Sequence, residues 1–189
     1  MLDRSPELIP VNEYLDGEQT SRVRHEYING KVYAMVGASD IHGLIAGNLF
    51  AILHNHLRGK PCQAFIADMK VRIKTDRDNI FYYPDVLVSC KPEDRARYYR
   101  NQPCLIVEIL SEATERLDRG EKLSAYKQIQ ELQEYVLVAQ RTQLIEVYRR
   151  RLDWEGTVYG SKETLQLDSI NLSIPMHAIY EEVFRNNQS

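Results

Sequence analysis

Apolar residues recur at three-to-four spacing through Ile41, Leu44, Ile45, Leu49, Ile52, Leu53 and Leu57. That period predicts an amphipathic helix of about four turns. Ser39 or Asp40 can cap its first turn, and Gly59 follows its end. Upstream, the runs 24–28 and 31–36 flank Asn29-Gly30, a pair suited to the positive φ angles of a type I′ turn, so they read as a β-hairpin. Downstream, 62–66, 70–74 and 84–89 read as strands. The almost continuously apolar run 104–110 suits a central strand covered on both faces. Residues 112–130 read as a second helix. Strands follow at 134–139 and 144–149, joined by a turn through Gln140, Arg141 and Thr142. A short helix at 11–15 opens the chain, and a hairpin and a closing helix near 176–184 end it. The pattern predicts a mixed α/β sandwich around one sheet. It forms a single domain over 1–189, with a core at about 11–150 and a tail at about 151–189 packed on it.

Composition narrows the class. The chain has 189 residues, 43% hydrophobic and 27% charged, with a formal net charge of −3. Disordered, collagen-like and rod-like chains are excluded, and the length suits one domain. The N-terminus lacks a basic region followed by an apolar one, and the apolar stretch 43–53 is broken by Asn48 and far shorter than the ~20 residues of a membrane span. A cytoplasmic protein is expected. Cys62, Cys90 and Cys104 show no C-x-x-C spacing, so neither a zinc ribbon nor a disulfide framework is expected. Mild acidity argues against counterion-driven coating of nucleic acid but leaves room for a local basic groove. Lys70/Arg72/Lys74, Arg95/Arg97/Arg100 and Arg149/Arg150/Arg151, interleaved with tyrosines, could contact phosphates and bases; a solvated sheet surface explains them equally well. The phosphate-loop, dinucleotide, zinc-protease and serine-hydrolase motifs are all missing.

Two acids stand out. Glu108 interrupts LIVEIL on the strand face of Ile106 and Leu110, where a bare carboxylate is costly to desolvate. An ion pair with a neighbouring arginine would satisfy it. Asp85 opens the strand PDVLVS directly after Pro84, and a turn aspartate is the plainer reading of it alone. If the two strands are neighbours, however, the carboxylates meet, and their natural companion is a divalent cation with oxygen ligands. Asp118, Lys122 and Tyr126 share one helical face, so Lys122 can reach back toward Glu108 or form an exposed i,i+4 pair with Asp118. Glu26 on the first hairpin strand and His42 at the start of the first long helix are weaker signals.

In order, HEYINGKVYAM, ASDIHGLIAGNL, YYPDVLVS, IVEILSEAT and DRGEKLSAY resemble the Uma family, bacterial endonuclease-like proteins of the PD-(D/E)XK superfamily, over about residues 11–148. The resemblance implies a restriction-endonuclease-like α/β core, a mixed β-sheet flanked by helices, and cleavage of phosphodiester bonds in DNA with Mg2+ or Mn2+. By the same resemblance Asp85, Glu108 and the Ile109 carbonyl are the metal ligands, Glu26 is an additional acid and His42 the first-helix histidine. Leu110 stands where the superfamily has its lysine, so Lys122 is the expected substitute. That departure also supports a second reading, a catalytically silent nuclease fold that binds nucleic acid or assembles with partners. A phosphodiesterase acting on small nucleotides is a third. A homodimer is expected, since cutting both strands often pairs two sites.

Overall fold

The computed structural model describes residues 8–184. Helix α1 (Val11–Thr20) leads into the hairpin of β1 (His25–Ile28) and β2 (Lys31–Ala34). Its turn residues Asn29 and Gly30 sit at φ 49° and 93°, and a Cβ on Gly30 would lie 2.8 Å from the Leu8 side chain. Only glycine therefore fits both the angle and the space. Helix α2 (Asp40–Leu57) carries the predicted apolar face, burying Ile45, Leu49 and Leu53, and Ser39 is its N-cap. Strands β3 (Gln63–Ile66), β4 (Lys70–Lys74), β5 (Asn79–Tyr82), β6 (Val86–Ser89), β7 (Tyr99–Arg100) and β8 (Pro103–Leu110) follow. Next come α3 (Glu115–Leu117), a π-helical turn (Asp118–Lys122) and α4 (Leu123–Tyr126). Strands β9 (Glu134–Ala139), β10 (Ile145–Arg149), β11 (Gly156–Tyr159), β12 (Thr164–Leu167) and β13 (Leu172–Pro175) precede α5 (Met176–Ile179).

The single sheet expected from the sequence is two. One has the order β2-β1-β5-β4-β7, the other β11-β10-β9-β8-β6-β3, and β12-β13 form a separate hairpin. Both larger sheets are mixed: β4–β7 and β8–β9 run parallel. Strand β8 explains the layering. Its Leu105, Val107 and Ile109 pack with α2 and the tail hairpin, whereas Ile106 and Leu110 pack with Val71 and Ile73 of the first sheet and with Tyr126. A strand covered on both faces reads as a continuous apolar run, and Glu108 lies on the face between the sheets.

Other expectations give way to tertiary contacts. The helix expected over 112–130 is short and carries a π-turn whose buried residues are Asp118 and Lys122. π-turns widen a helix locally and gather at functional sites. The closing helix shrinks to α5, tied down by Asn48, whose side-chain amide donates to the Ile179 and Glu181 carbonyls at 3.1 and 2.9 Å. Parts of the basic stripes are taken up inside the fold, while Lys74, Arg95, Arg97 and Arg151 remain exposed. Lys70 is buried against the Tyr83 hydroxyl, and Arg149 is buried in an ion pair with Glu134. Arg150 caps the Leu132, Lys127 and Ile129 carbonyls. Among the described residues, no helix is long and apolar enough to cross a membrane.

The cysteines also depart from expectation. Neighbouring strands β3, β6 and β8 bring all three to one end of the sheet. Cys62 and Cys90 form a disulfide, and the Cys104 Sγ lies 3.4 Å from that of Cys90. Burial pushes the Cys104 thiol up to about 12. Spacing could not show this, because strand order decides which cysteines meet. The bridge spans 28 residues, for which loop-closure entropy predicts stabilisation of roughly 3–4 kcal/mol. Urea unfolding with and without reductant should differ by that amount, and coincident curves would refute it.

Candidate functional site

Register places the two acids side by side. Val86 of β6 pairs with Val107 of β8, so Asp85, one residue before β6, stands beside Glu108. The Ile109 N–H donates to Asp85 Oδ2 at 2.7 Å, taking the place of a ladder bond that β6 is too short to supply. In an extended strand a residue's N–H and C=O point to the same side, so the Ile109 carbonyl faces the Asp85 side as well. His42, in the first turn of α2, brings its Nε2 to 2.8 Å from Asp85 Oδ1.

Glu108 is 3% exposed. Its Oε1 accepts from the Lys122 ammonium at 3.2 Å and from the Tyr126 hydroxyl at 2.9 Å. Lys122 also lies 3.1 Å from Glu26 Oε1 and 3.3 Å from Asp118 Oδ1. Those two oxygens are buried without a correctly directed hydrogen bond, even though they are within ion-pair distance. Thus β1 supplies Glu26, the β6 entrance Asp85, β8 Glu108, the π-turn Asp118 and Lys122, and α2 His42. The exposed i,i+4 alternative for Asp118 and Lys122 does not hold, because both are buried.

Charge in this pocket is unbalanced: Glu26, Glu108 and Asp118 surround one ammonium, and Asp85 adds a fourth carboxylate beside Glu108. Burial pushes the Glu108 carboxyl well above the ordinary carboxylate range. Lys122 pulls it down, while Asp85, Asp118 and Glu26 push it further up. Burial would lower Lys122, but Glu108, Glu26 and Asp118 override it and hold the ammonium above the ordinary lysine range. The groups line a cleft of about 1430 Å3, whose wall also carries Arg24, Arg119 and Arg141.

The donors suit a hard divalent cation. They are two carboxylates, a main-chain carbonyl on the same edge, and nearby buried carboxylate oxygens lacking hydrogen bonds. Among the described residues, no three or more His, Cys, Asp and Glu side chains form a cage that could hold a metal unaided. Mg2+ usually takes one or two protein carboxylates and fills its remaining positions with water or phosphate.

Sequence reasoning assigned no site role to three neighbours. Asp118 and Tyr126 were visible only as i−4 and i+4 companions of Lys122. Gln140 read as a turn residue, yet its amide meets His42, Ser39 and the Leu110 carbonyl. Leu110 itself is 7% exposed and packs in the core between the sheets.

The model of the Uma2 family, described as "putative restriction endonuclease", matches residues 11–177. The chain belongs to the Uma2 family. An uncharacterized protein of Synechocystis sp. (strain ATCC 27184 / PCC 6803 / Kazusa) is 38% identical over 178 residues, covering 93% of this chain and 92% of that protein. A second uncharacterized protein of the same organism is 29% identical over 153 residues, covering 79% and 85%. The crystal structure of a putative nuclease belonging to DUF820 from Anabaena variabilis ATCC 29413 matches with a TM-score of 0.76 at 18% identity, over 93% of this chain and 99% of that chain. At that identity the likeness shows the fold: this Uma2 member has the mixed α/β architecture of a nuclease-fold protein, its sheets flanked by helices.

Proposed function

We propose that this Uma2 member is a Mg2+- or Mn2+-dependent endonuclease that hydrolyses phosphodiester bonds in DNA. One observation carries the reading: three buried carboxylates, Glu26, Glu108 and Asp118, converge on a single ammonium in an open cleft, with Asp85 beside Glu108, an excess of negative charge that a divalent cation would neutralise. Asp85, Glu108 and the Ile109 carbonyl would hold the ion. When bound, it would supply a water of lowered pKa and offset charge developing on the phosphate.

The chain's own groups prepare that site. His42 and the Ile109 N–H fix both oxygens of Asp85. Lys122 and Tyr126 hold Glu108 by one oxygen. Lys122 thus does from a helix what the superfamily's lysine does from the strand, balancing the acid and orienting a nucleophile beside it. Glu26 completes the acidic wall. Among the residues lining the cleft, Arg24 and Arg141 have side chains 42% and 80% exposed and form ion pairs with the exposed Asp68 and Glu112. Such surface pairs are worth about 0–1 kcal/mol, so incoming phosphates would displace them easily. Cutting both strands calls for two sites, and we include a homodimer in the proposal, to be read by light scattering.

Supercoiled plasmid incubated with Mn2+ should be nicked and linearised by the wild type and left intact by Asp85→Ala. Mn2+ binding, read by electron paramagnetic resonance, should fall in the same variant. Equal cleavage by both proteins would place the activity elsewhere. The burial of Leu110 at the lysine position favours the second reading, a silent nuclease fold. Salt-sensitive DNA binding with no cleavage in either ion would establish that one.

A further inference from the structure

Gln140 sits one residue past β9 and lines the same cleft, and three groups, two from α2 and its cap and one from β8, converge on its amide. Its Oε1 accepts from the Ser39 hydroxyl at 2.9 Å, while its Nε2 donates to the Leu110 carbonyl at 2.8 Å and lies 3.5 Å from His42 Nδ1. The orientation of the amide follows from chemistry. A backbone carbonyl can only accept, so the group facing Leu110 must be the NH2. A flipped amide would set oxygen against oxygen there, whereas the Ser39 hydroxyl could serve either orientation.

With the NH2 facing Nδ1, a proton on that ring nitrogen would meet another donor. The proton therefore belongs on Nε2, where Asp85 Oδ1 accepts it at 2.8 Å. We infer that Gln140 is a positioning residue that holds His42 as the Nε2–H tautomer, and through it holds the Asp85 carboxylate as an acceptor fixed in orientation. The line runs from the Ser39 cap through Gln140 and His42 to Asp85, whose other oxygen is held by the Ile109 N–H. One consequence concerns His42. Its Nε2 carries the proton and its Nδ1 faces a donor, so it neither ligates an ion nor takes a proton from water in this arrangement. It serves Asp85.

This inference rests on the reading of Asp85 as a metal ligand only for its effect on binding; the tautomer itself can be read without metal. Long-range 1H–15N correlation on 15N-histidine-labelled, metal-free protein, at one pH above the histidine range, should show His42 with a bare Nδ1 and a protonated Nε2. In Gln140→Glu, a carboxylate oxygen facing Nδ1 should draw a proton onto that nitrogen, a reversal that mere loss of packing would not produce. In Gln140→Leu, the Nε2–H preference should weaken, and Mn2+ affinity should drop about 10–100-fold, the usual effect of removing a group that orients a metal ligand. A wild-type His42 protonated on Nδ1, or an Nδ1 that stays bare in Gln140→Glu, would overturn the assignment. Should Gln140→Leu not fold, the wild-type and Gln140→Glu spectra still decide. A tautomer that switches as described in a protein that never binds Mn2+ would sustain the role of Gln140 and remove the metal reading; Mn2+ binding with no switch would do the reverse.

Discussion

Replacing Lys122 with methionine should lower the unfolding free energy by about 3–5 kcal/mol, the usual result of removing one partner from a buried ion pair. For a chain of this size that corresponds to a fall in Tm of roughly 6–20 °C. The Lys122 side chain is 6% exposed and lies within 3.1–3.3 Å of Glu26, Glu108 and Asp118. Methionine fills a similar volume but leaves three buried carboxylates without a counter-charge. The pH dependence has a definite sign. Because the folded Lys122 ammonium is held above its ordinary value, its stabilisation is complete below the unfolded lysine pKa of about 10.4 and disappears as pH rises through the higher folded value. The gap between wild type and variant in urea melts should therefore persist at neutral pH and close in strong alkali. A loss under ~1 kcal/mol would show instead that the cluster is as well solvated as a surface pair.

Glu108→Gln should have the opposite effect on stability and the same effect on ion binding. A folded carboxyl whose pKa is raised above the unfolded value destabilises the fold progressively as pH climbs from the ordinary carboxylate range toward the folded value. Glutamine removes that cost at neutral pH, and its amide oxygen can still accept from Lys122 and Tyr126. Without divalent ions the variant should be more stable than wild type by on the order of 1–2 kcal/mol, a typical gain when a site kept for function is relaxed. The gain should fade in acid, where wild-type Glu108 is already protonated. Mn2+ binding should be lost together with any cleavage. A variant less stable than wild type at neutral pH would mean that the Glu108 charge is fully compensated inside the protein. Because both substitutions act on one cluster, their double mutant should not be additive.

Of the two residues, Glu108 was conspicuous in the sequence for a physical reason, as was its neighbour Asp85, whereas Lys122 read equally as half of an exposed i,i+4 pair. A charge inside LIVEIL, and another at the mouth of PDVLVS, are expensive unless something compensates them, so the anomaly is visible before any fold is known. Gln140 offered no such signal. A polar residue in a turn costs nothing, and its meeting with His42 joins positions 98 residues apart. Within the basic stripes, Lys70 and Arg149 show the converse. Alternation correctly put Lys70, Arg72 and Lys74 on one face of a strand, but it could not say that Tyr83 would cover Lys70 or that Glu134 would claim Arg149.

The sequence by itself determined the local elements. The three-to-four period of α2, the Asn29-Gly30 hairpin and the two-faced apolar run of β8 depend on near neighbours and on backbone angles, which the chain carries wherever it goes. Only the tertiary structure decided that two sheets form rather than one and that Cys62 meets Cys90. It alone decided, too, that Lys122 turns inward to Glu26 as well as Glu108 and that a glutamine sets the proton on His42. Those outcomes depend on which distant segments pack together, and that choice belongs to the burial of the whole core rather than to any stretch within it.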